Sequence, residues 1–264
     1  MRLSPSLILL ALILLAGLTL LVGAPAMAQV PLVPVPPAAT SALTDSPCTP
    51  ARTFPDDWPA LCHYRDADHA VAVAPRAVLI GDSITEFWLP TAPGLFADGI
   101  VDRGISGQTS PQMVARFYQD VVRLHPRVVH IMCGTNDIAG NTGPSSAEDY
   151  ANAILAMIDL AHANGIAVVL GSIPPAGAFG WRPAFHPAGD IIALNTWLRQ
   201  LAQQRGLVYA DYHSAMADAA GAMKPGLSTD GVHPNAAGYA VMEPIARAAI
   251  AEAERRGPGS NYGR

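Results

Sequence analysis

The chain has 264 residues, of which 50% are hydrophobic and only 14% charged, and this excludes a disordered polar polymer. Its formal net charge is -5, Lys224 is the sole lysine, and no run of Lys or Arg occurs. The surface therefore offers no general attraction to nucleic acid or to anionic membranes.

Residues 1–28 read as a secretory signal: Arg2, an apolar run over 6–23, and the small-x-small site Ala26-Met27-Ala28. Cleavage after Ala28 sends the chain to the periplasm or the exterior without stable membrane association; the alternative is an apolar run retained as an anchor. Residues 29–50 carry six prolines and read as an extended linker. Cys48 and Cys62 lie near one another, and an oxidising compartment allows them to pair, whereas Cys133 in VVHIMCG reads as a buried small hydrophobe. No CxxC, HxH or HExxH motif occurs, so no metal site is expected.

Residues 51–75 form a lead-in helical segment. Asp56 or Asp57 is placed to cap a short helix with Pro59 in its first turn, and Trp58, Leu61 and Tyr64 share one face. From residue 76 onward, strand and helix alternate. AVLIG (77–81), GIVDRG (99–104), RVVHIMCG (127–134), IAVVLGSI (166–173) and LVYAD (207–211) read as strands, most of them buried on both faces. Ser110-Pro111 opens a helix carrying Val114, Phe117 and Val121. Ser145 with Glu148 forms a capping box ahead of the stripe Tyr150, Ile154, Met157 and Ile158, and Asn164-Gly165 stops that helix. IIALNTWLRQLAQQ ends at Gly206, and AAGYAVMEPIARAAIAEAERR is the last helix. The pattern predicts one α/β domain over 76–256, a three-layer α/β/α sandwich around a central, mostly parallel sheet of about five strands, with a flexible tail over 257–264.

Sites in such sheets gather at the carboxyl ends of the strands. There stand Gly81-Asp82-Ser83-Ile84-Thr85, Ser106-Gly107-Gln108-Thr109 and Gly134-Thr135-Asn136-Asp137, and beyond the last strand Asp230-Gly231-Val232-His233-Pro234-Asn235. These are the residue types that acyl transfer needs. A serine hydroxyl becomes a nucleophile when a histidine takes its proton, and a carboxylate fixes that histidine's tautomer. Asp230 and His233 lie close enough for one loop to supply both. Backbone N–H groups at Ser83 and Gly107, with the Asn136 amide, are the donors available to a developing oxyanion.

GDSIT, SGQT, GTND and DGVHPN, in this order and on these elements, resemble the four sequence blocks of the SGNH/GDSL hydrolase family, over about residues 76–250. DWPALCHYRDAD resembles the lead-in helix of its bacterial esterase-like members. The resemblance implies a flavodoxin-like fold, a triad of Ser83, His233 and Asp230, and an oxyanion hole made by Ser83, Gly107 and Asn136. No block departs from the family pattern at its functional residue, and no cofactor is implied. With the signal over 1–28 the chain reads as an exported serine esterase acting on a small-molecule or glycan ester, and the resemblance implies small acyl groups, most closely the members that remove acetyl groups from carbohydrate. The GxSxG pentapeptide of the α/β-hydrolases is absent.

A lysophospholipase or acyl-thioesterase, an acyltransferase, and a catalytically silent carbohydrate- or lipid-binding protein are the other readings. Trp88, just after GDSIT, and Trp181, in the Gly/Pro-rich stretch after IAVVLGSI, are the candidate substrate-binding aromatics, and Trp88 reads alternatively as core. Asp82 and Asp137 read as turn-holding residues. His130, in a strand, and His186, at a helix start, read as non-catalytic; His63, His69, His125, His162 and His213 show no partner pattern.

Overall fold

Short apolar runs separated by amphipathic stretches bury both of their faces only as parallel strands between helices. The computed structural model describes Cys48, residues 55–143 and residues 145–258; the segment 1–28, the linker apart from Cys48, and the tail beyond Pro258 lie outside the described residues. In chain order the elements are α1 (Arg65–His69), β1 (Ala77–Gly81), α2 (Ser83–Glu86), α3 (Trp88–Thr91), β2 (Ile100–Gly104), α4 (Ser110–Asp120), β3 (Val128–Met132), α5 (Thr135–Ala139), α6 (Ala147–Ala163), β4 (Ala167–Gly171), α7 (Ala188–Arg205), β5 (Val208–Ala210), α8 (Tyr212–Met216) and α9 (Ala236–Arg256), with 3₁₀ turns at Pro93–Asp98 and Val122–Leu124.

The five strands form a single parallel sheet in the order β2-β1-β3-β4-β5. Alternation along β1 sets the layers. Val78 and Ile80 pack with Met113, Phe117, Ile154, Ile158 and Leu198 of α4, α6 and α7. Ala77 and Leu79 face the other way, onto Trp88, Tyr239, Met242 and Ile250. Each fully buried side chain of the size of Leu79 or Ile80 contributes roughly 1.5–3 kcal/mol by leaving water. In register, Gly81 stands level with Gly104 and with Met132, so the loops after β1, β2 and β3 emerge side by side. β2 lies on one side of β1 and β3 to β5 on the other, so the strand order reverses beside β1, the switch point where such sheets bind ligands.

Local signals shift by small steps. Thr109 caps α4, sharing a capping box with Gln112, because the Ser110 hydroxyl and N–H are both taken by Asp137. The box opening α6 is Ser146 with Asp149, one residue later than Ser145 with Glu148. No helix starts at Asp56 or Asp57. Asp57 instead accepts the N–H groups of Leu61 (2.9 Å) and Cys62 (2.8 Å) around Ala60, whose φ of +57° no helix tolerates. The helical turn falls at α1, and Trp58 is left 39% exposed.

The lead-in is nonetheless fastened to the domain. A disulfide joins Cys48 to Cys62, with Cα atoms 5.4 Å apart. The side-chain amides of Gln108, Gln112 and Gln119 donate to the carbonyls of Pro59, Trp58 and Leu61. The buried Asp68–Arg103 pair at 2.7 Å joins α1 to β2. Among the described residues, no helix is long and apolar enough to cross a membrane, and no group of three or more His, Cys, Asp or Glu side chains is placed to hold a metal ion.

Candidate active site

Ser83 is the first residue of α2, immediately after β1. Asp82 caps the helix, its carboxylate accepting the Ile84 N–H at 2.9 Å. This turn leaves Ser83 9% exposed and its N–H among the first helical donors, which have no partner inside the helix. The Ser83 Oγ lies 2.9 Å from His233 Nε2, and His233 Nδ1 lies 2.6 Å from Asp230 Oδ2.

The loop before α9 builds its half of this line by local chemistry. Gly231 adopts φ +80°, which lets the chain fold back so that Asp230 and His233 face each other. Asp230 Oδ1 accepts the N–H groups of Val232 (2.9 Å) and His233 (2.8 Å) and the hydroxyl of Ser228 (3.0 Å), leaving Oδ2 to the imidazole. Burial alone would raise the Asp230 carboxyl; bonds from the His233 ring and these backbone groups outweigh it and hold the carboxyl well below the usual carboxylate range. The carboxylate therefore stays charged beside the ring.

Asn136, in α5 after β3, donates through Nδ2 to the Gln108 carbonyl at 3.0 Å and stands 3.4 Å from Asp82 Oδ2. Gly107, one residue before Gln108, is exposed, has φ +77°, and its N–H meets no acceptor among the described residues. The loop bearing it is held at three points. The Ile105 N–H donates to Gly81 O (3.1 Å), and the Ser106 N–H and hydroxyl both donate to Glu86 of α2. The fully buried Arg116 spans Gln108 Oε1 (2.6 Å) and Gly81 O (3.1 Å), its charge balanced by Asp120 at 2.8 Å. Such a pair adds little net stability, but its geometry is unforgiving.

The two tryptophans separate sharply. Trp88 is not at the surface: it is fully buried, stacked on Tyr239 at 5.2 Å and edge-on to Phe96 and Tyr212, so its position five residues after Ser83 is a packing signal. Trp181 is 46% exposed, stacked on the buried Phe179 at 4.9 Å, and its indole N–H reaches Asn141 Oδ1. Asp137 accepts from Ser110, as a turn-holding residue does. His130 is buried against Tyr212 and far from solvent. A cavity of about 290 Å³ behind α5, lined by Ile138, Tyr150, Asp190 and Leu194 among others, includes neither Ser83 nor His233.

Sequence reading passed over four side chains beside the constellation: Phe87, whose ring lies 5.4 Å from that of His233, and Glu86, Ser228 and Asn141. Glu86 and Phe87 carried a signal, three and four residues after Ser83 and so on the same helical side.

Residues 79–241 match the model of the GDSL-like Lipase/Acylhydrolase family. A candidate acylhydrolase structure from Bacteroides fragilis NCTC 9343 is 40% identical, covering 75% of this chain and 99% of that one at a TM-score of 0.73. A GDSL-like lipase from Bacteroides thetaiotaomicron VPI-5482 is 37% identical, covering 74% and 98%, at a TM-score of 0.71. A multidomain esterase of Ruminococcus flavefaciens is 30% identical over 125 residues, which are 46% of this chain and span 15% of that protein's length.

Proposed function

The chain belongs to the GDSL-like Lipase/Acylhydrolase family, a family of ester-bond hydrolases, and from that premise we propose that it is an exported serine esterase that removes small acyl groups, acetyl foremost, from carbohydrate. The observation that carries the reading is the unbroken line from Ser83 Oγ through His233 to Asp230, at 2.9 and 2.6 Å.

In this mechanism His233 Nε2 takes the Ser83 proton as Oγ attacks the ester carbonyl. The N–H groups of Ser83 and Gly107 and the Asn136 amide receive the oxyanion, and His233 returns the proton to the departing alcohol. A water deprotonated by the same imidazole then attacks the acyl-enzyme and releases the acid. Asp230 keeps Nδ1 protonated and balances the imidazolium that forms in both halves. Trp181, an exposed ring on a rigid backing, offers the flat apolar surface on which a sugar ring stacks. Export through the segment 1–28 fits the Cys48–Cys62 disulfide, which persists in an oxidising compartment. The division into leader, linker, lead-in and hydrolase domain over 76–256 is part of the same reading.

Phe87, 40% exposed beside His233, favours a second reading in which a longer acyl chain lies along it, as in a lysophospholipase or thioesterase. Two measurements separate the possibilities. A fluorophosphonate probe should label Ser83 and fail to label Ser83→Ala; a folded parent protein that does not react is a binding protein. Across a series of nitrophenyl esters, rates should be highest at acetate, and a maximum near eight carbons or more, about 0.8 kcal/mol being gained per buried methylene, selects the longer-chain reading.

A further inference from the structure

Beside the proposed triad, three side chains form a hydrogen-bond chain with a single sense. The Trp181 indole Nε1–H donates to Asn141 Oδ1 at 3.1 Å, Asn141 Nδ2 donates to Asn136 Oδ1 at 2.6 Å, and Asn136 Nδ2 donates to the Gln108 carbonyl at 3.0 Å. An indole N–H can only donate and a peptide carbonyl can only accept, so both ends dictate the direction. Reversing either carboxamide would set N–H against N–H or oxygen against oxygen. Trp181 is anchored by its stack on Phe179, and the neighbouring Arg182 donates to the carbonyl of Ala139 at the end of α5. One hydrogen of Asn136 Nδ2 is thereby assigned to Gln108, and the other has only the long 3.4 Å contact with Asp82 Oδ2.

We propose that Asn141 is a positioning residue for the reaction: it locks the Asn136 carboxamide with its N–H edge toward the reacting oxygen, and the Trp181 indole sets the orientation of Asn141 in turn. The chain thus joins the exposed ring that a substrate would touch to the group that stabilises its transition state. This inference rests on the reading of Asn136 as an oxyanion donor.

Steady-state hydrolysis of nitrophenyl acetate by the full chain, with melting temperatures to verify folding, tests it. Asn136→Ala measures the donor itself and should lower kcat roughly 10²–10³-fold. Asn141→Asp is nearly isosteric, sits at an exposed position, and replaces the donor with an acceptor, so Asn136 must turn its N–H edge away. It should lower kcat by a comparable factor with KM within about threefold, and its rate relative to the parent should recover as the pH falls toward about 4, where the new carboxyl regains a proton to donate. Trp181→Phe keeps a ring and removes only the N–H, and should lower kcat by about three- to tenfold. If Asn136→Ala is slow while Asn141→Asp and Trp181→Phe match the parent, this inference fails and the donor role stands. A loss that falls on KM, or one that does not recover toward acid, also overturns it. If Asn136→Ala is itself as fast as the parent, the oxyanion assignment is what fails.

Discussion

Two carboxyls near the site, Asp82 and Asp102, are pushed by burial from an ordinary 3.8 up to about 7. Asp82 accepts the Ile84 N–H and Asp102 the Gly104 N–H, and the attraction of His233 for the one and of Arg103 for the other is too weak to offset desolvation. The folded state therefore holds protons that the unfolded chain releases. For such a group the stabilising contribution is complete below about pH 4 and is lost as the pH rises to about 7, a change of at most about 4 kcal/mol for Asp102. His130 works in the opposite direction: burial drives it down from 6.5 to about 4, so its contribution is present above pH 6.5 and lost as the pH falls toward 4. Asp102→Asn keeps the acceptor for Gly104 and removes the charge. Its melting temperature should gain on the parent's as the buffer moves from pH 5 to pH 8; an unchanged difference would mean that Asp102 is ionised without penalty. None of this was legible beforehand. Asp82 could be read as a turn-holder from its position, but the burial of Asp102 depends on α2 and the lead-in packing over β2, which no local pattern encodes.

At the scale of elements, the lead-in shows what sequence order can and cannot tell. Its composition announced a packed segment, and three glutamines from the α4 region do bind its carbonyls. Its helix was misplaced because Asp57 caps a turn through Ala60 rather than a helix, and a carboxylate before a proline signals both equally well. The shifts at Thr109 and Ser146 share that origin: neighbouring hydroxyls compete for one cap, and a distant carboxylate, Asp137, settles the contest at Ser110. The disulfide matters because it closes the loop that carries the carbonyls of Trp58, Pro59 and Leu61, and Gln108, next to Gly107, is bonded to one of them. Converting Cys48 and Cys62 together to Ser opens a loop with a sequence separation of 14 and should cost about 3 kcal/mol of stability by chain entropy. Its kcat should fall more than its KM rises, since Gln108 of the loosened contact adjoins Gly107, the proposed oxyanion donor, rather than a proposed substrate contact. A double variant with the parent's melting temperature would show that the three amide contacts hold the lead-in without the bond.

At the scale of the whole molecule, the fold joins residues far apart along the chain. Ser83 and His233 are separated by 150 positions, and Tyr239 of α9 donates to the carbonyl of Ile84 across 155. The four blocks were legible because each sits at a loop that the β-α repeat brings to one rim of the sheet. The layer between those loops was not, because an aromatic beside a nucleophile looks the same from sequence whether it faces a sugar or a core. Trp88 faces the core. From α3 it fills the space against Tyr212 of α8 and Tyr239 of α9, the helix that follows the His233 loop. Trp181 stands in solvent, and its loss removes surface rather than core. The two therefore predict a crossed result. Trp88→Ala should cost about 3–5 kcal/mol, which for a domain of this size lowers the melting temperature by roughly 6–20 °C. Trp181→Ala should leave the melting temperature within about 2 °C and instead lower kcat/KM for an acetylated oligosaccharide more than for nitrophenyl acetate, because only the former has a sugar ring to lose contact. Equal losses on both esters would confine Trp181 to its bond with Asn141 and remove the carbohydrate platform from the reading.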